Sequence, residues 1–485
     1  MKGGQVMDVK NKNNSITSRD EDFAQWYTDV VKKAELMEYS SVKGFINYLP
    51  DSYSIWEEIQ NYANKRFKSV GARNVYLPLV IPTSLFNKEK EHVEGFAPET
   101  LIATIGGHEE LSDRLIIRPT SEILFSDLYK KMVNSYRDLP KIYNQWCSVV
   151  RWEKTTRPFL RGSEFLWQEG HCLFETKEQA EDNVLTMLKI YDEIGRDLLA
   201  IPFVKGKKTE HEKFAGATAT YTIEALMHDG KALQAGTTHD LGQGFADAFG
   251  ITYQSRDGSL KVPYQTSWGF STRLLGAIIM VHGDDNGLVL PPKVAPIQVV
   301  IVPIRMQDEG VLDACKKIEH DLAEKGIRVY LDQDDSRTPG WKFAQYEMKG
   351  IPLRIEVGPR DLAKGEVTLA RRVDGVKITN KIDEIEAKIP QILDEIHNLM
   401  YQKALEHLNK NIVDVNTIEE LNEALNKGGY ARMPFCGDID CEDRIKEITK
   451  GGTTRCIYKE EVEEGTLCPC CGKKAKMIVY FAKAY

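Results

Sequence analysis

The stretch Val149–Phe174, VVRWEKTTRPFLRGSEFLWQEGHCLF, constrains this chain more than any other. Two apolar and aromatic runs flank a charged loop that holds Arg157, Pro158 and Arg161, which is the pattern of a β-hairpin. Strand side chains repeat with period two. The first run is therefore predicted to place Arg151 and Glu153 on one face, and the second to place Trp167, Glu169 and His171 together. Such a set is either a salt-bridged antiparallel pair on a sheet surface or a group of charged and aromatic side chains converging in a cleft. The hairpin alone leaves both readings open.

At 485 residues the chain exceeds what one core can hold, and about three domains are expected. Its 42% hydrophobic and 28% charged residues are those of a soluble globular protein, and no apolar run reaches the ~18 residues of a membrane span. The start, MKGGQVMDVKNKNNSITSRD, is polar and has no apolar export core. A flexible tail over residues 1–20 is expected there, not a signal peptide, and with it a cytoplasmic location. A net charge of −8 excludes indiscriminate nucleic-acid binding, so any RNA contact needs a local basic patch.

Ser54-Ile-Trp-Glu57 has the form of a capping box, with Ile55, Ile59 and Ala63 at helical spacing and Gly71 as a stop. A helix of about four turns is predicted. NVYLPLVIPTSLF reads as extended, and its internal Pro78 and Pro82 point to an edge or a bulge. In LIIRPTSEILFSDLY, Thr120 and Glu122 fall in a turn between a strand-like and a helix-like run. Glu122 is there either a helix-start acid favoured by the macrodipole or an acceptor in an enclosed site. EQAEDNVLTMLKIYDEIGRDLL has helical spacing, whereas VKGKKTEHEKFAGATATYTIEAL has the Lys and Glu density of a solvated loop. WGFSTRLLGAIIMVHGDD reads as a strand carrying Gly269, Ser271 and Arg273 into an apolar helix. Glycine permits close backbone approach to a ligand, and an arginine held on such an element suits a phosphate.

From PPKVAP onward strand-like runs alternate with helical ones, the mark of a mixed α/β unit that starts near residue 291. Between Arg337 and Arg372 eight Lys or Arg stand against four acids, a local positive excess in an acidic chain. Six of the nine cysteines, Cys436, Cys441, Cys456, Cys468, Cys470 and Cys471, lie in the last 50 residues. Cys436-x4-Cys441 and Cys468-x2-Cys471 form two close pairs about 26 residues apart, in the style of a four-thiolate zinc site. Cys470 competes with Cys471 for the fourth position.

RWE, PFLR and EFLWQEGH resemble motif 2 of the class II aminoacyl-tRNA synthetases, in the form seen in prolyl-tRNA synthetases. The helix, strand and Pro82 before it resemble motif 1, which forms the dimer interface of the class. WGFSTRLLGAIIMVHGDD resembles motif 3, departing from the fuller glycine pattern at Phe270 and Ser271. DSRTPGWKF through GPRDL resembles the class IIa anticodon-binding domain. The cysteine-rich tail ending in Tyr485 is similar to that of archaeal and eukaryotic-like prolyl enzymes. A histidyl or threonyl enzyme, or an inactive RNA-binding paralogue, is the alternative.

The resemblance implies an α+β catalytic domain with an antiparallel sheet over 21–290, an α/β anticodon-binding domain over 291–400 and a zinc-binding domain over 401–485. It implies formation of prolyl-adenylate from L-proline and ATP with Mg2+, then transfer to tRNA(Pro), by a homodimer with structural Zn2+. Arg151 would hold the α-phosphate and Arg273 the γ-phosphate, with Glu153, Arg161, Gly162, Gln234, Thr237, His239 and Ser271 around the nucleotide. Thr120, Glu122, Arg151, Trp167, Glu169, His171 and Ser271 would shape the proline pocket. Lys342, Arg354 and Glu356 would read the anticodon, and Cys436, Cys441, Cys468 and Cys471 would bind the metal. Only about 93 residues separate Phe174 from Trp268, so no inserted editing domain is expected.

Overall fold

The computed structural model describes residues 16–90 and 99–485. Most of the tail expected over 1–20 therefore lies outside the described residues. The chain divides into two compact units, one comprising residues up to Glu38, Tyr48–Ser54 and Ile278–Met400, the other Tyr39–Asn47, Ile55–Ala277 and Tyr401–Tyr485.

Helix α1 spans Pro50–Ser69. It begins at Pro50, upstream of the predicted Ser54 cap, because proline suits the first helical position, where its missing N–H has no partner to lose. Ser54 therefore lies within the helix. Gly71, at φ +89°, ends the turn that follows. The predicted extended run after it is broken into Arg73–Asn74, at the edge of one sheet, and Val80–Pro82, at the edge of another. Thr83–Lys90 is helical, so Ser84-Leu85-Phe86 is a helical turn and not strand.

The larger unit is built on a seven-stranded sheet: β1 (Arg73–Asn74), β2 (Lys141–Val150), β3 (Glu164–Phe174), β4 (Val204–Lys207), β5 (Ala219–Leu226), β6 (Ala232–Gly242) and β7 (Tyr264–Ser271), in the order β1-β2-β3-β7-β6-β5-β4. Every pairing is antiparallel except the short β1–β2 contact. Helix α2 (Glu122–Met132) follows the turn holding Thr120, α3 (Lys177–Glu193) starts at a Thr176 capping box, and α4 (Arg273–His282) leaves β7 directly. One face of the sheet is closed by an aromatic cluster. Phe67 of α1 lies 4.9 Å from Trp268, Trp56 of α1 lies 5.7 Å from Trp146, and Tyr191 of α3 lies 5.3 Å from Phe270. Gly170 is required in this packing, because a Cβ there would come within 2.1 Å of the Trp268 ring.

The C-terminal part of this unit is a four-stranded sheet of Ile412–Asp414, Tyr430–Phe435, Met477–Lys483 and Gly452–Lys459, in that order. It packs on the far edge of the seven-stranded sheet, where Val204, Leu226 and Ala232 meet Tyr430, Cys456 and Tyr480 in one buried cluster.

The smaller unit carries the mixed sheet that the sequence pattern predicts, five strands ordered Val329–Leu331, Val299–Pro303, Leu353–Val357, Glu366–Arg371 and Lys377–Lys381. The first three are parallel and the last two antiparallel. No described helix is long and apolar enough to cross a membrane.

Candidate active site

The sheet register assembles the site in three rows. Trp167 of β3 pairs with Ser271 of β7; Glu169 pairs with Gly269 and, beyond it, Thr237 of β6; His171 pairs with Ser267 and then His239. All of these side chains or glycines line one cavity of about 310 Å³. Gln234 has the wrong parity to join them on a regular strand. A bulge that leaves Ala235 without a partner opposite β5 shifts the alternation by one residue, and Gln234 reaches the cavity with Thr237 and His239.

Arg151 and Glu153 do not share a strand face as the alternation predicts, because β2 ends at Val150. The Arg151 N–H still bonds the Ser163 carbonyl, but the Glu153 N–H turns back onto the Arg151 carbonyl at 2.8 Å. Released from the strand, Arg151 lies beside the aromatic rings of β3, its guanidinium 5.4 Å from the centres of both Phe165 and Trp167. Its Nε–H donates to the Pro119 carbonyl at 3.0 Å.

Arg273, at the start of α4, donates to the carbonyls of Leu160 at 3.1 Å and Gln234 at 3.2 Å. Burial and the neighbouring charges of Arg161 and Arg151 push its pKa down to about 10. Three cations therefore converge, and the hydrogen bonds of Arg151 and Arg273 go to backbone carbonyls while Glu122, Glu153, Glu169 and Glu224 act on them only through charge, an arrangement that can take a polyanion. Glu153, Arg161 and Gly162 lie in the hairpin loop and are not part of the cavity wall, although the charge of Arg161 reaches Arg273.

The two pocket carboxylates are held differently. Glu169 is buried and takes five donors: the Ser121 N–H at 3.1 Å, the Ser121 hydroxyl at 2.5 Å, Gln145 Nε2 at 3.0 Å, His171 Nε2 at 3.0 Å and the Cys147 thiol at 3.5 Å. Burial alone would raise its pKa, but the bonds from His171, Ser121 and Gln145 outweigh that and lower it. His171, which burial alone would lower, is raised by Glu169 and Glu122. Glu122, the first residue of α2, takes a hydrogen bond from the Thr120 hydroxyl and keeps acceptor capacity. His239 is neutral: burial, then the charges of Lys208 and His171, push it down to about 3, and its Nδ1 pairs with the Thr220 hydroxyl at 2.9 Å.

Lys208 and Phe214 also line the cavity. Both belong to the stretch whose charge density reads as a solvated loop, and nothing in composition separates the buried Lys208 from its exposed neighbours. Ser121 and Gln145, which fix Glu169, carry no motif of their own.

In the smaller unit Lys342 is buried against Asp332 at 2.8 Å, and Arg354 against Glu356 at 2.9 Å. Arg354 also lines a second, polar cavity of about 340 Å³ with Asp284, Arg371, Arg372 and Lys377. Much of the positive excess counted along the sequence is matched by acids outside the counted span: Lys349 pairs with Glu35 and Asp51, and Arg372 with Asp284.

The sulfurs of Cys436, Cys441, Cys468 and Cys471 all lie within 4.8 Å of one another, with Cys436 and Cys471 3.7 Å apart. Four Zn–S bonds of about 2.3 Å in tetrahedral array require sulfurs roughly 3.8 Å apart, so the cluster fits a zinc ion. Cys470 instead points its thiol to the Cys441 carbonyl.

Comparison with known proteins accords with this geometry. Residues 103–282 match the tRNA synthetase class II core domain (G, H, P, S and T), 298–392 the anticodon binding domain, and 418–485 the prolyl-tRNA synthetase C-terminal domain. The fold is thus that of a class II aminoacyl-tRNA synthetase. The chain is 55% identical to a proline–tRNA ligase of Clostridium botulinum (strain Loch Maree / Type A3) over 97% of its length and 98% of the relative's. It is equally similar, at 55% and with the same coverage, to the proline–tRNA ligase of Acetoanaerobium sticklandii. The crystal structure of prolyl-tRNA synthetase from Cryptosporidium parvum complexed with halofuginone and AMPPNP superposes with a TM-score of 0.94 at 40% identity, covering 97% of this chain and all of that one. The chain belongs to the proline–tRNA ligase family.

Proposed function

We propose that this chain activates L-proline with ATP and transfers it to the 3′ end of tRNA(Pro). The observation that carries the reading is the meeting of an arginine-rich wall with a carboxylate pocket in one cavity. Arg151 and Arg273 hold the phosphates of ATP and stabilise the negative charge that grows as the proline carboxylate attacks the α-phosphate. Alignment of two bound reactants, with no covalent nucleophile, supplies the rest. Gln234, Thr237, the neutral His239, Ser271 and the loop residues Glu153, Arg161 and Gly162 surround the nucleotide. Magnesium on the phosphates would contribute further positive charge.

Proline's secondary ammonium carries two donors and needs an acceptor in an enclosed site. Glu122 serves as that acceptor, supported by Thr120. Glu169 and His171 act as the rigid floor, since the Glu169 oxygens already take five donors. Trp167 forms an apolar side of the pocket. Proline-dependent exchange of pyrophosphate into ATP without tRNA tests this directly, and exchange driven by another amino acid in proline's place would overturn it.

The remaining assignments follow the same reading. Residues 21–290 form the catalytic domain, 291–400 the anticodon-binding domain and 401–485 the zinc domain, in a cytoplasmic homodimer. The exposed Tyr76 and Leu79, at 71% and 43%, support a subunit interface on the motif-1-like segment. Lys342, Arg354 and Glu356 contribute to anticodon recognition. Cys436, Cys441, Cys468 and Cys471 hold one structural zinc, a closed thiolate set with no open position for water. The chain between β3 and β7 is occupied by α3, β4, β5, β6 and their connections, which favours an enzyme without an inserted editing domain.

A further inference from the structure

We propose that Arg455, on a strand of the C-terminal sheet, is a positioning residue for amino-acid activation: by occupying Glu224 it leaves the Lys208 ammonium available to an anionic oxygen of the bound substrate. This rests on the activation chemistry assigned above. Lys208 lines the active-site cavity, is 5% exposed, and is fixed by its backbone N–H bonding the Thr220 carbonyl at 2.7 Å. The nearest carboxylate within its reach, Glu224 of β5, is taken. Arg455 Nε donates to one Glu224 oxygen at 3.0 Å, Arg455 Nη2 to both at 2.8 and 3.1 Å, and the Thr222 hydroxyl to one at 3.0 Å. Lys208 Nζ stands 3.8 Å from Glu224, beyond hydrogen-bond distance.

Two buried cations therefore share one buried carboxylate. Burial lowers the Lys208 pKa, Glu224 raises it and Arg455 lowers it again; the half-buried Glu212 of the same loop adds only a weaker upward pull. A buried charge without a full partner is unfavourable, and an anion entering the cavity relieves it. The same sheet and the helix Ile439–Ile448 before it also pin the next residue. The Thr209 hydroxyl donates to Glu442 at 3.1 Å and meets the Thr454 hydroxyl at 2.9 Å, and Thr454 in turn bonds Glu442. The C-terminal part of the chain thereby reaches the cavity through Arg455, Thr454 and Glu442.

The test uses the full chain in proline-dependent pyrophosphate exchange without tRNA, with Lys208→Met, Arg455→Met, the double variant and Arg455→Lys, each checked by thermal unfolding. Lys208→Met is expected to raise one Michaelis constant roughly tenfold, as loss of a charge-assisted bond does, with a smaller change in kcat. A rise for ATP identifies a phosphate oxygen as the partner, and a rise for proline identifies the carboxylate. Arg455→Met should raise the same constant, because the freed Glu224 then captures Lys208. The double variant should be no worse than Lys208→Met, and Arg455→Lys should recover part of the loss. Effects of the two single variants that multiply in the double variant would overturn the proposal. So would Michaelis constants unchanged in Lys208→Met, or an Arg455→Met defect that consists only of a lower melting temperature. Wild-type exchange driven by a different amino acid would refute the proline assignment and leave this double-variant comparison intact.

Discussion

Replacing Glu169 with glutamine changes one atom and should disable the pocket floor. An amide keeps one acceptor oxygen and turns the other position into a donor. Placed at Oε1, which takes Gln145, the Ser121 hydroxyl and Cys147, the new NH2 confronts Gln145 Nε2; placed at Oε2, which takes the Ser121 N–H and His171, it confronts the Ser121 N–H. Gln145 cannot flip to accommodate it, because its own oxygen accepts the Leu77 N–H at 2.5 Å. One donor-to-donor clash thus remains in a dry site, at a cost of about 1–3 kcal/mol, and the charge-assisted bond from His171 is lost at a similar cost. A combined loss of roughly 3 kcal/mol corresponds to about a hundredfold fall in kcat/KM for proline. The pH profile gives a second readout. Glu169 sits below its ordinary 4.5, so its stabilisation is present above that value and is lost as pH falls through the lowered one. His171 sits above its ordinary 6.5, so its share is complete below 6.5 and is lost as pH rises through the raised value. The pair is therefore complete between about 4.5 and 6.5, and the stability difference between wild type and Glu169→Gln should be largest there. Pyrophosphate exchange at varied proline and denaturation from pH 4 to 9 measure both effects. Retention of kcat/KM within threefold, with a pH-independent stability difference, would refute the reasoning.

Arg151→Ala and Arg273→Ala should each slow proline-dependent exchange by about a hundredfold or more, and adenylate formation within tenfold of wild type would remove the residue from the phosphate site. Metal analysis should find about one zinc per chain; Cys471→Ser should lose it and Cys470→Ser should retain it, since only Cys471 closes the cluster. Arg354→Ala should fold, because Lys377 still pairs with Glu356 at 2.9 Å, and should raise the Michaelis constant for tRNA severalfold while sparing exchange. The pocket should also charge some alanine, because a missing methylene is worth only about 1–3 kcal/mol, and preformed alanyl-tRNA bearing the proline anticodon should survive incubation with the enzyme. Release of alanine above the enzyme-free rate would reveal an editing site.

What the sequence disclosed about the fold was disclosed by periodicity. Alternation placed Trp167, Glu169 and His171 on one face because β3 is long, regular and paired on both sides, so its period of two survives folding. It failed for Arg151 and Glu153, one and three residues beyond Val150, the last regularly paired residue of the hairpin's first strand, where a local turn resets the direction of the side chains. Gln234 shows the converse, since a bulge written nowhere in the local sequence makes its side chain converge with Thr237 and His239. The start of α1 was displaced for a different reason. Ser54 and Glu57 have the residue types of a cap, but Pro50 four residues earlier offers a start that needs no side-chain cap at all.

The site was less legible than the fold, because charge depends on what folds onto it. The basic excess between Arg337 and Arg372 looked unopposed only because Glu35, Asp51, Asp284 and Asp332 lie outside the counted span. Lys208 presents the reverse case. Amid lysines and glutamates it has the sequence context of a solvated residue, yet Arg455, almost 250 positions later, occupies the carboxylate that would otherwise neutralise it. Arg151 and Arg273, whose neighbouring carboxylates act only through charge, are anchored by backbone carbonyls of Pro119, Leu160 and Gln234. A carbonyl fixes a guanidinium without cancelling its charge. The same sheet that orients Glu169 by saturating it with donors therefore leaves its arginines oriented by carbonyls and not by direct ion pairs, and the difference between those two ways of holding a charged group is what separates the carboxylate side of the cavity from its arginine side.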